Sequence, residues 1–86
     1  MTYDFQDGNG PVAAHQHPNG GGWVADTASV EPTAYVGLNA SVFGNASVFG
    51  NAEVSERALV SGNAKVSGRA LVSGRARVFG NAMVCD

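Results

Sequence analysis

Charge, cysteine and proline are all scarce in this chain, and it has no long hydrophobic run. Charged residues make up 14%, with seven acids against five bases. So weak a balance excludes a strong basic footprint, and no nucleic-acid partner is expected. The single cysteine, Cys85, excludes an internal disulfide. No stretch approaches the roughly eighteen consecutive apolar residues that a membrane helix needs. The opening, MTYDFQDGNG, has neither the basic start nor the apolar centre of a signal peptide. The expected location is therefore the cytoplasm, or a virion or other particle assembled from there. At 86 residues the chain makes one small domain, of a size at which a single compact core is marginal and repeats or oligomers usually help.

What is present in abundance is a count of six. Valine stands at positions 24, 30, 36, 42, 48, 54, 60, 66, 72, 78 and 84, and alanine at 28, 34, 40, 46, 52, 58, 64, 70, 76 and 82, two places before each later valine. A helix repeats in about 3.6 residues and a strand in 2, so a period of six belongs to neither alone. Ala-x-Val is a minimal strand with both named side chains on one face, and the Gly-Asn or Gly-Arg that often follows supplies a corner. Three such hexads wound into a triangular coil stack in parallel on the coil below, with valine and alanine filling the interior. Residues 22–86 are expected to form a little over three and a half coils, on the order of 17 Å tall at about 4.8 Å per layer. The predicted core is Val24, Val30, Val36, Val42, Val48, Val54, Val60, Val66, Val72, Val78 and Val84.

The recurring Gly-Asn-Ala-x-Val-x-Gly unit resembles the hexapeptide-repeat proteins of bacteria and phages, some of which are described as transferases. In that family an aliphatic residue is followed four positions later by a small one, as Val42 is by Ala46 here. The resemblance implies an all-β, single-domain, left-handed parallel β-helix. Handedness comes from the resemblance alone, because the usual crossover rule favours the opposite hand. Family members also include trimeric acyltransferases, which place a histidine from a coil beside a cleft between subunits. The coils here contain no histidine, and no loop longer than a corner interrupts them, so catalysis is not expected and no cofactor is assigned.

Residues between Ala and Val, and those just after Val, face outward. On the first face Trp23, Phe43, Leu59 and Phe79 zigzag up the stack, beside Ser41, Ser61 and Arg77. An aromatic ladder on so small a domain marks a contact surface, and homo-oligomerisation or docking on a larger assembly is expected there. An acyltransferase-like protein, or its remnant, is the competing reading. His15 and His17 are the weak metal candidates: solvated residues of a Gly/Pro-rich segment if taken alone, but three His-x-His pairs around a threefold axis would offer six imidazoles to a transition metal. Arg57 and Arg75 fall one layer apart, with Glu56 as the expected neutraliser. No face carries the regular threonine ladder that ice binding needs.

Residues 1–21 differ in kind from the rest and are read as an irregular arm, with Pro18-Asn19-Gly20 turning the chain into the first coil. Acids alone occupy residues 1–52 (Asp4, Asp7, Asp26, Glu31), whereas all five bases follow residue 52. The arm, or a foreign chain, is expected to cover the last layer around Ala82 to Cys85; closure of the arm over its own first coil is the competing outcome. Corner geometry stays open at this stage. Glycine is the natural left-handed residue, but Pro32, Leu38 and Glu56 occupy glycine columns.

Overall fold

The computed structural model describes residues 1–5, 8 and 10–84. Its strands, in chain order, are β1 (Thr2–Asp4), β2 (Pro11–Gln16), β3 (Trp23–Ala25), β4 (Ser29–Val30), β5 (Tyr35–Val36), β6 (Ser41–Val42), β7 (Ser47–Val48), β8 (Glu53–Val54), β9 (Leu59–Val60), β10 (Lys65–Val66), β11 (Leu71–Val72), β12 (Arg77–Val78) and β13 (Met83–Val84). From β3 onward every third strand pairs in parallel with a shift of eighteen residues, as in Val24 to Val42 to Val60. The result is an all-β solenoid with three faces: β3-β6-β9-β12, β4-β7-β10-β13 and β5-β8-β11.

The ladder between coils explains why two-residue strands hold. Backbone amides of one coil donate to carbonyls of the next, as Ser29 N–H does to Ala46 O at 2.9 Å and Glu31 N–H to Val48 O at 2.9 Å. Each strand is too short to be stable alone, and its bonds are made to the layers above and below. The interior is narrow and takes nothing larger than valine: Val24, Val36, Val42, Val48, Val54, Val60 and Val66 are the largest fully buried side chains. Val72 and Val78 are also buried, whereas Val30 and Val84 are half-buried at the two ends of the second face. Alanine suits the positions beside the corners, where the chain turns inward and leaves room for one methyl; Ala34, Ala46, Ala52, Ala58 and Ala64 are completely buried.

Corners come in two kinds. In the lower coils Gly44, Gly50, Gly62, Gly68, Gly74 and Gly80 take φ between 66° and 73°, and Glu56 joins them at 58°. The next amide then points down the stack: Asn45 N–H donates to Gly62 O and Asn51 N–H to Gly68 O, both at 2.8 Å. The first coil has Asp26, Pro32 and Leu38 in these columns, and none has a positive φ. Here the downward donors at two corners are hydroxyls. Thr27 Oγ1–H reaches Gly44 O and Thr33 Oγ1–H reaches Gly50 O, each at 2.5 Å. Proline at the second position of a turn with negative φ is favourable, so Pro32 fits its corner.

The arm departs from the expectation of an irregular segment. β1 pairs antiparallel with β2, which pairs antiparallel with β3, so the first face becomes six-stranded. The arm also lies at the opposite end from the one expected: it closes over its own first coil, not over the layer around Ala82. Cys85 falls outside the described residues. The physical reason is that the upper edge of β3 is an open ladder next to outward-facing Trp23 and Ala25, and the hairpin satisfies both at once. A second patch of backbone closes the third face, where Val36 N–H donates to Asn19 O at 3.0 Å and Gly22 N–H to Val36 O at 2.9 Å. The approach is so close that a Cβ on Gly20 or Gly22 would collide with the backbone of residues 36 and 37. β4 remains the edge strand of the second face, flanked by Glu31 and Pro32, residues that discourage strand addition.

Candidate functional site

The outward residues of the first face divide into an upper, covered half and a lower, open half. Tyr3 stacks on Trp23 with ring centroids 4.6 Å apart, and Phe5 stacks on Phe43 at 4.8 Å. Tyr3 and Phe5 meet edge to face at 4.9 Å. With Ala14 and Ala25 they form a second small core outside the solenoid, against which Val12 and Leu59 pack. Trp23 and Phe43 are therefore internal contacts of this chain, a correction to their expected place on an interface. Ser41, between them, is also buried.

Leu59 and Phe79 behave differently. Leu59 is half-buried and Phe79 is 65% exposed. They floor a groove of about 630 Å³ whose upper rim is the arm, at Asp4 and Phe5, and whose lower part holds Ser61 and Arg77. Asp4 and Arg77 are both exposed, so the groove has an acid on its upper rim, a base lower down and apolar rings between.

A second groove of equal volume, about 630 Å³, runs down the second face from His15 past Glu31 and Phe49 to Lys65. Size does not separate the two, so chemistry must. His15 Nδ1–H donates to Asp26 Oδ1 at 2.7 Å, with both side chains about half exposed. His17 is buried and its Nε2–H donates to Ala34 O at 2.8 Å, where Asn19 Nδ2–H joins it at 3.1 Å. The two histidines thus have separate structural partners: His15 ties the arm to the first corner, and His17 plugs the top of the third. Among the described residues no three His, Cys, Asp or Glu side chains converge as metal ligands would.

The expected pairing of Glu56 with the arginines is absent among the described residues, where the ion-pair contact within 4.0 Å is His15 with Asp26. Glu56 is instead the side chain carried by a left-handed corner. Leu71 and Met83 are 60% and 69% exposed on the other two faces, but neither has an aromatic neighbour packed against it to form a groove floor. Among the described residues no helix is long and apolar enough to cross a membrane. Sequence reasoning missed Tyr3 and Phe5; the alternation of Val12, Ala14 and Gln16 on one side of β2 was the signal available for a strand there. Compared with protein-family models, curated proteins and solved structures, the chain matches none.

Proposed function

We propose that this protein is a non-catalytic assembly element: a rigid β-solenoid that oligomerises or docks on a larger particle through its first face, with a virion component as one fitting setting. The observation that supports this most is the lower half of that face, where Phe79 is 65% exposed beside half-buried Leu59 in a groove bordered by opposite charges. An exposed ring next to an already packed apolar cluster gains burial from any partner that covers it. The coils add a second line of support. Their outward positions are single residues between corners, which makes flat, stiff walls and builds no enclosed pocket around a reacting group. Light scattering or sedimentation of the purified protein tests the reading: a mass above that of one chain, or co-sedimentation with a particle, is expected. A single-chain mass at every concentration, together with attachment to nothing, overturns it.

One observation favours a different reading. His15, held through Nδ1 by Asp26, lines the groove of the second face with Ser29, Ser47 and Lys65, and an oriented imidazole is what an acyltransferase-like base requires. Calorimetric titration with coenzyme A separates the readings, since binding is expected only for the transferase.

A further inference from the structure

We infer that the occupant of the lower first face is a second copy of this chain, laid antiparallel to the first across a two-fold axis that passes through the groove. The inference rests on the assembly reading above and gives it a partner and a geometry. Shape is the first ground. Because Tyr3 and Phe5 stack on the outward-facing rings of Trp23 and Phe43, the arm stands out from the face as a ledge over the first two coils. Over the next two coils, at Leu59, Ser61, Arg77 and Phe79, the face is bare. A copy turned by 180° about an axis perpendicular to the face brings its ledge into this step, and presents its own step to the ledge of the first. No other rigid arrangement of two copies on this face fills both steps at once, and a two-fold contact is by nature self-complementary.

Charge is the second ground and is independent of the first. Asp4 and Arg77 border the same groove on opposite sides. An axis through the groove exchanges them, so each Asp4 faces the second copy's Arg77 and the contact occurs twice. The wider distribution has the same sense. Residues 1–52 carry four acids and no base, and residues 53–86 carry all five bases; antiparallel copies set acidic half against basic half, whereas parallel copies oppose like with like. Electrostatic complementarity of this kind selects orientation and speeds encounter more than it adds affinity. Affinity would come from Phe79, whose exposed ring meets the apolar ledge around the second copy's Phe5. The molecule measures 33 × 25 × 21 Å. One lateral face then offers on the order of 600 Å² per copy, somewhat below the ~800 Å² per partner of a standard stable interface. A dimer with a concentration-dependent mass is the expected species.

Sedimentation equilibrium of the full chain and its variants tests this, with circular dichroism to confirm the fold. The wild type should titrate between one and two chains. Arg77→Glu and Asp4→Arg, each breaking two symmetry-related contacts, should raise the dimer Kd about tenfold at low salt. The double variant Asp4→Arg/Arg77→Glu should restore it to within about threefold of wild type. Phe79→Ser, at an exposed position that the fold does not require, should weaken the dimer at least about tenfold while the spectrum stays the same. If the double variant is no better than the single ones, or if the charge reversals and Phe79→Ser leave the association unchanged, this interface is wrong although assembly by another surface stands. A protein that remains one chain alone but co-sediments with a particle overturns the two-fold partner and keeps the assembly reading. One that remains a single chain and attaches to nothing removes both.

Discussion

The first coil and the coils beneath it share a Val-Ala interior but are finished by different means. Below, the chain finishes itself: a residue at positive φ turns each corner, the following amide bonds down the stack, and the next layer covers the edge. Above, no preceding coil exists to cover β3 and β5, and the corners lack positive φ. Side chains and the arm substitute for both. Thr27 and Thr33 replace the corner amides, β2 closes β3, and the segment at Asn19 to Gly22 closes β5. The difference teaches that periodic sequence suffices only where a neighbour of the same kind is present, and that an end needs its own, non-periodic chemistry.

Breaking the cover on the first coil should have the largest effect. Phe5→Ala removes a buried ring from the stack on Phe43 and is expected to cost about 3 kcal/mol in denaturant unfolding, the scale for truncating a buried aromatic. Ser61→Ala, on the bare part of the same face, should change stability by less than about 0.5 kcal/mol. Equal effects would mean that the arm contributes no cover. A smaller change is expected at a substituted corner. Thr27→Val keeps the shape but deletes the hydroxyl donor to Gly44 O, for a loss of about 1 kcal/mol; Val is no isostere in polarity, and Thr27→Ser, which keeps the donor, should recover most of it. The smallest effect has the opposite sign. Glu56 is the one described non-glycine residue at positive φ, so Glu56→Gly should relieve backbone strain and raise stability by roughly 0.5 kcal/mol, after the entropy that glycine adds to the unfolded chain. A loss on that replacement would show that the Glu56 side chain stabilises its corner by more than the strain costs.

Much of the solenoid was legible because its information is local and repeated. Val42 predicts Val60 by counting, and the count also states which side chains share a column. Corners were half legible: Gly44 and Gly62 announce themselves, but Glu56 does not, because its conformation is imposed by the layers above and below against its own preference. Pro32 looked like an exception and is in fact the signature of a second corner type. The arm was the least legible. Tyr3 meets Trp23 twenty positions away and Phe5 meets Phe43 across thirty-eight; contacts of that separation leave no period to count, and glycine and proline disguise the two strands between them. The rings Trp23 and Phe43 were correctly expected to share a column zigzag, but what lies over them depends on those distant partners.

The eighteen-residue register between Val24, Val42 and Val60 makes the molecule a ruler with a phase. Duplicating one full register, such as residues 41–58, would add one layer of about 4.8 Å and leave every later side chain on its own wall. Adding a single hexad would keep the interior intact, since valine still follows valine, yet swing everything downstream by a third of a revolution. Arg77 and Phe79 would then look out from a different wall than Phe5. Length and direction can thus be altered independently in this chain, and its lineage can lengthen it freely in threes of hexads but reorients it with every one or two.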